Sequence, residues 1–335
     1  MLLEFKTKNY KSFVEEASFS MVAAPKQKGL DYSLMKTKIK GKEIKGLSSS
    51  VIYGPNAAGK TNIIGAMDVL RSIVLRGNIR NSEEKSSPNP AASALELIPN
   101  NNESEPKPVC FEIEFYEEDG EEHKFKIHYE LQIDLGTFLE EEYQRKILAE
   151  VLEVNGERVF ERKEGLKVEN LKVIKDYLSD ITQQNAESIN EIAKNSLNQE
   201  ELFLTNGFKL IFSPKFTKLI VDWFANKFMV IYRADSMQLI KRFADPKKKA
   251  IYVEKTTDEA AKLFGINSNA VGYVVSDDEP DAKLYSVFKN MKNKKTTAVA
   301  ADIFESYGTI RFINMFPLVI KAMQTGGTLV VDEFD

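Results

Sequence analysis

The chain is poor in the residues that many functions need. A single cysteine, Cys110, among 335 residues excludes a disulfide framework. It lies in an alternating apolar stretch, where a small core hydrophobe in a reducing compartment is the expectation, and cytoplasmic localisation goes with it. The two histidines, His123 and His128, are five positions apart in or beside one strand. That spacing sets up no metal pair, and polar surface positions account for both. No run approaches the ~18 apolar residues of a membrane span, and MLLEFKTKNYKSF has no apolar signal core. No membrane partner is expected. There is no large charge excess either: 46 Lys and Arg stand against 50 Asp and Glu, a net −4, which excludes a global polyanion-binding surface. The absence of sustained heptads excludes a long coiled-coil arm, and no internal repeat is evident.

What is present is a strand, a glycine turn and a helix. SSSVIYG reads as a strand, GPNAAGKT (Gly54–Thr61) as the turn, and TNIIGAMDVLRSIVL as an amphipathic helix with Ile63, Met67, Leu70 and Val74 on one face. The turn matches G-x-x-x-x-G-K-[ST] at every fixed position. Glycines permit positive φ and close approach, so consecutive N–H groups of Gly54, Pro55 (which lacks one), Asn56, Ala57, Ala58 and Gly59 frame a phosphate at a helix N-terminus. Lys60 would reach the β/γ-phosphates and Thr61 would ligate Mg²⁺, which makes ATP with Mg²⁺ the expected cofactor pair.

Such a site also needs an acid for the metal and, in hydrolases, one that orients water. TLVVDE supplies both at the far end of the chain: a short apolar run suited to a central parallel strand, then Asp332 for the metal and Glu333 for the water. Nearly the whole chain separates these acids from Gly54, much more than in a small kinase or GTPase. Just upstream, FESYGTIRF places Ser306 and Gly308 at the start of a helix. They are either donors to an anion or, for Ser306, an ordinary N-cap above a core face of Ile310, Ile313, Phe316 and Ile320.

Elsewhere the pattern is structural. Short strand-like pieces (Leu3, Phe5, Phe13, Phe19, Met21) precede a lysine-rich connection, Lys36–Lys45. Ser82–Pro108 is dense in Pro, Ser, Asn and Glu and reads as an exposed loop. Val109 to Phe115 and Phe125 to Ile133 alternate as strands of a half-exposed antiparallel sheet, and a second hairpin is expected at Asn155-Gly156. From about Leu166 to Ala300 the pattern is mainly helical, with Phe216, Leu219, Ile220, Trp223 and Phe224 on one stripe. Lys289–Lys295 and Lys247–Lys249 are the densest basic spots, read either as solvated loops or as local nucleic-acid contacts.

Taken together these motifs resemble the ABC-type ATPases of the RecF/SMC class, and within it the compact, arm-less AAA family ATPases of abortive-infection and antiphage systems. The resemblance rests on Asn9, Lys11 and Ser12 after the first strand, on GPNAAGKTN with Asn56 and Asn62, on ESYGT as the signature motif, and on TLVVDEFD as Walker B. It implies an α/β P-loop NTPase fold, an ABC-ATPase-like head with an antiparallel β subdomain and an inserted helical lobe. In those terms residues 1–165 are the N-terminal part of the head, 166–300 the inserted lobe, and 301–335 the signature helix and Walker B strand. It further implies a homodimer or higher oligomer through head–head contacts, with Ser306 and Gly308 touching the γ-phosphate held at Lys60 of a partner copy. Glu333 and Lys60 are then the catalytic pair. An effector protein, a nuclease or toxin, is the implied partner. The class also has a metal-coupling glutamine, for which Gln132 and Gln144 are candidates, and a D-loop and switch histidine beyond Asp335, so the expectation is a chain truncated after Walker B. Two alternatives stay open: a non-hydrolysing ATP-binding scaffold or sensor, and a RecF-like DNA-repair ATPase.

Overall fold

The computed structural model describes residues 1–25, 29–80, 95–101, 106–120, 123–138, 140, 143–179, 182, 186–195, 197–232, 250–252, 270–274, 283–289 and 295–333. The chain forms two compact units. One comprises Met1–Ser82, Leu95–Tyr232 and Gly326–Asp332, and the other holds the described residues between Arg233 and Thr325 together with Glu333. This partition is drawn differently from the expected 1–165, 166–300 and 301–335.

The first unit is organised on seven antiparallel strands: β1 (Leu2–Lys8), β2 (Ala17–Ser20), β5 (Val109–Glu118), β6 (Lys124–Asp134), β7 (Lys146–Val154), β8 (Glu157–Arg162) and β9 (Leu166–Val168), in the spatial order β2-β1-β5-β6-β7-β8-β9. Period-two apolarity drives it. Val109, Phe111, Ile113 and Phe115 on β5 and Ile127, Tyr129, Leu131 and Ile133 on β6 are fully buried, while their alternate neighbours are mostly half-exposed. Asn155 (φ 55°) and Gly156 (φ 80°) turn β7 into β8, the paired left-handed residues that match strand twist.

The lysine-rich segment is not a connection but a hairpin, β3 (Leu34–Ile39) paired with β4 (Lys42–Leu47). Lys40 (φ 47°) and Gly41 (φ 81°) make the same kind of turn. Lysine density hid a period-two pattern of Thr37, Ile39 and Ile44. The expected exposed loop is also corrected in its described part, because Leu95, Leu97 and Asn100 are buried, and Pro99 bridges to Tyr10.

Helix α1 (Lys60–Arg76) buries every residue from Ile63 to Val74, so it is enclosed on all sides rather than amphipathic. Its one deep cation explains how. Arg71 is 3% exposed and donates from Nε to the carbonyls of Phe224 (2.9 Å) and Phe228 (2.7 Å), satisfying carbonyls in and just after the last turn of a later helical run. That run includes α3 (Pro214–Asp222), which comes after α2 (Ala186–Asn195), and continues through a π-turn, Trp223–Lys227. The predicted stripe packs as expected: Trp223 stacks on Phe115 at 3.8 Å between ring centres, and Phe216 meets Phe125 edge-on at 5.2 Å.

The mainly helical expectation for 166–300 holds only to Lys227. Beyond it come β10 (Phe228–Ile231) and, in the second unit, a four-stranded antiparallel sheet of β11 (Ala250–Tyr252), β12 (Ala270–Val274), β13 (Lys283–Lys289) and β14 (Thr296–Ala300). Their short apolar runs carry no period that separates strand from buried helix. Helix α4 (Tyr307–Thr325) follows in the same unit, then β15 (Thr328–Val331) returns to the first unit and pairs in parallel with β10. Lys247–Lys249 and most of Lys289–Lys295 lie outside the described residues.

Candidate functional site

The site is assembled where β15 ends beside the start of α1. β15 is held on one side by the β10 ladder, Phe228 to Thr328 through Ile231 to Val331, and by Leu2 N–H donating to Thr328 Oγ1 at 3.1 Å. The ladder continues one step further, with Asp332 N–H donating to Ile231 O at 2.9 Å. This fixes the backbone of Asp332, whose residue is 5% exposed. From the other end of the sequence Thr61 Oγ1 donates to Asp332 Oδ1 at 3.2 Å. The two motifs expected to share a metal thus touch.

The glycine turn leads directly into Thr61. Gly54 to Ala58 are exposed, and Ala57 (φ 63°) and Gly59 (φ 91°) both take left-handed backbone, which turns successive N–H groups inward as a nest does. Gly59 is the N-cap of α1. It makes no side-chain cap, and the first turn of α1 carries no acidic residue, so neither a cap side chain nor an acid of that turn satisfies the amides there. A side chain on Gly59 has no room, since a Cβ there would come within 2.9 Å of the Phe13 ring and 3.2 Å of Ser12 Oγ. Asn62 Nδ2 donates to Ser12 Oγ at 2.7 Å. Lys60 folds back, its Nζ donating to the carbonyls of Gly54 and Pro55, both at 2.8 Å. That places an ammonium at the rim of the same turn.

The donor chemistry fits Mg²⁺ with a phosphate. A hydroxyl and a carboxylate oxygen in contact are hard ligands, and such ions keep several waters and substrate oxygens instead of a full protein cage. Among the described residues no group of three or more His, Cys, Asp or Glu side chains could hold a metal by itself.

The strand expected before the turn is not formed: residues 48–54 pair with no strand among the described residues. Val51 and Tyr53 are 81% and 90% exposed while Ile52 packs on the core. Apolar alternation is there, but a strand also needs a backbone partner, which sequence periodicity does not supply. Glu333 follows Asp332 exposed and with φ 51°, turning the chain as it leaves β15. Ser306 and Gly308 lie in the second unit and are exposed. Ser306 Oγ accepts from Thr309 N–H at 3.1 Å, so it caps α4. The core face of α4 is Ile310, Ile313, Met315 and Leu318; Phe316 and Ile320 are only half-buried. A Cβ on Gly308 would meet only Ser306 Oγ, at 3.9 Å. Packing among the described residues does not require glycine there.

Of the glutamine candidates, Gln132 donates to Glu130 at 2.6 Å on β6, and Gln144 is exposed. Of the histidines, His123 lies 3.4 Å from Asp119 and 3.3 Å from Asp176, and His128 is half-buried across from Glu114 and Glu153. Two residues that no motif flagged also converge behind the turn, Glu96 and Tyr232, both hydrogen-bonded to Lys11. Only the neighbouring Asn9-x-Lys11-Ser12 pattern pointed to that corner.

No helix among the described residues is long and apolar enough to cross a membrane. A family model described as "AAA domain, putative AbiEii toxin, Type IV TA system" matches residues 49–335. No curated protein and no solved structure matches the chain.

Proposed function

The chain belongs to this AAA-domain family of P-loop ATPases, and from that premise we propose that it is an ATP-binding, Mg²⁺-dependent ATPase head whose nucleotide-driven dimerisation controls an effector in antiphage defence. The observation that carries the reading is the Thr61–Asp332 contact at 3.2 Å, made between residues 271 positions apart. Packing alone has little reason to bring a loop hydroxyl and a strand-end carboxylate together beside an uncapped helix N-terminus.

In this reading the amides of Asn56 to Thr61 and the Lys60 ammonium bind the β- and γ-phosphates, after Lys60 leaves the Gly54 and Pro55 carbonyls. Bound Mg²⁺ would supply charge neutralisation between the phosphates, held by Thr61 and Asp332. Glu333, exposed and next to the metal acid in the chain, accepts a proton from the attacking water. Asn62 anchors the helix start to Ser12. Ser306 and Gly308 serve the γ-phosphate of a second copy. The unexplained glycine at 308 supports this, because a backbone left bare at a helix N-terminus admits an anion. ATP then joins two heads and its hydrolysis releases them, a γ-phosphate switch passed to a nuclease or toxin partner.

Phosphate release and size-exclusion mass with Mg-ATP test it. Wild type should turn over ATP and shift towards a dimer, Lys60→Ala should do neither, and Glu333→Gln should dimerise without turnover. Equal turnover in wild type and Glu333→Gln would refute the assigned base. Absence of nucleotide binding by wild type would refute the whole reading.

A further inference from the structure

The turn Asn9–Phe13 crosses the N-terminus of α1, touching it through Ser12 at Asn62 and through the Phe13 ring at Gly59. Asn9 and Lys11 hold φ of 52° and 47°, left-handed backbone that asparagine tolerates but a lysine keeps only when the surroundings enforce it. The enforcing groups come from elsewhere in the chain. Lys11 N–H donates to Ile98 O at 3.0 Å, and Asn100 Nδ2 donates to Lys11 O at 2.6 Å. The Lys11 side chain, 10% exposed, donates from Nζ to Glu96 Oε2 at 2.5 Å and to Tyr232 Oη at 3.0 Å. Tyr232 in turn donates to Glu96 Oε2 at 3.0 Å. The ammonium also lies 5.4 and 5.3 Å from the ring centres of Tyr10 and Tyr232. The Tyr232 ring also packs on α1, because a Cβ on Gly65 would come within 2.9 Å of it.

One charged cluster therefore grips the crossing turn and the helix it crosses. We propose that Glu96 and Tyr232 are positioning residues for the phosphate loop: by neutralising and fixing Lys11 they press Ser12 and Phe13 onto the start of α1, and so set the loop's affinity for nucleotide without contacting it. The affinity half of this statement rests on the nucleotide-binding reading above, and the mechanical half does not. The chemistry explains why both groups are needed. Glu96 supplies the counter-charge that a nearly buried ammonium requires, and Tyr232 accepts from that ammonium while donating to the carboxylate, closing a three-membered network. Removing either member leaves Lys11 under-partnered in the turn whose Ser12 touches the start of α1.

Two measurements on the full chain test it, amide hydrogen exchange over Gly59–Gly65 without nucleotide, and titration with a fluorescent ATP analogue and Mg²⁺. Glu96→Gln and Tyr232→Phe should each speed exchange at those amides about tenfold and weaken the analogue about tenfold, the effect of losing one charge-assisted hydrogen bond. Exchange on β5 and β6 should not change, which separates positioning from general destabilisation. Glu96→Gln combined with Lys11→Met should be no worse than Glu96→Gln alone, as for members of one network. Should Glu96→Gln fail to fold, Tyr232→Phe, which deletes a single hydroxyl, carries the same expectation. Exchange and affinity within twofold of wild type in the folded variants overturn the proposal. Accelerated exchange in a protein whose wild type binds no analogue sustains the mechanical half and refutes the nucleotide reading instead.

Discussion

Replacing Gly59 by alanine should spring the phosphate loop from behind. At φ 91° an L residue pays roughly 1–2 kcal/mol of backbone strain that glycine avoids. The new methyl would also stand 2.9 Å from two carbons of the Phe13 ring and 3.2 Å from Ser12 Oγ, too close for either to stay. The ring edge can tilt away, so the overpacking cost belongs at the low end of its range, about 1 kcal/mol. Together about 2–3 kcal/mol is lost. For a chain this long each kcal/mol lowers Tm by about 2 °C, so melting should fall by about 4–6 °C. Circular dichroism melts measure the total, and titration with an ATP analogue reports whether the nest survives. A second variant divides the total: Phe13→Leu in the Gly59→Ala background should recover about 1 kcal/mol relative to its effect in wild type, leaving the backbone strain. An unchanged Tm in Gly59→Ala would mean that the left-handed turn is not the native conformation. A Phe13 substitution with no recovery would mean that the ring does not press on the loop.

Two further outcomes follow from buried groups away from the site. Glu150 is fully buried and accepts from Phe203 N–H, Leu204 N–H and Tyr129 Oη–H, and burial raises its pKa above the ordinary 4.5 despite those donors. The folded state then holds its proton longer than the unfolded state, so this contribution is greatest below pH 4.5 and is lost as pH rises through the raised value. Glu150→Gln should thus gain stability relative to wild type between pH 4.5 and 7 in urea melts; a constant difference across that range would refute the assignment. Cys110 has its thiol pushed up to about 11 from 9.0, chiefly by burial with Glu130 and Glu112 adding to it. At pH 8 the native protein should be alkylated by iodoacetamide about a hundredfold more slowly than the unfolded chain, and equal rates would place the thiol in water.

What was legible in the sequence is what depends on local chemistry. The phosphate turn is spelled by its glycines and lysine, and the Asn155-Gly156 turn by residues that tolerate left-handed backbone. The alternation of Val109 to Phe115 and Phe125 to Ile133 marked an antiparallel sheet because each second residue meets a different solvent. The stripe ending in Trp223 and Phe224 marked a packed helix for the same reason at a different period. Where a segment's fate depends on a partner, the same rules gave less. Val51 to Tyr53 alternate like a strand and yet pair with no strand among the described residues, and Leu95 and Leu97 are buried in a stretch whose composition argued for solvent.

By itself, then, the sequence determined the P-loop class and the spelling of its glycine turn, since backbone freedom and charge are properties of single residues and short spacings. Only the tertiary structure decided that Thr61 meets Asp332, that α1 is enclosed on every side around Arg71, and that Glu96 and Tyr232 reach Lys11. Those facts join residues tens to hundreds of positions apart, and no local propensity records which distant backbone or side chain will arrive to share a buried charge.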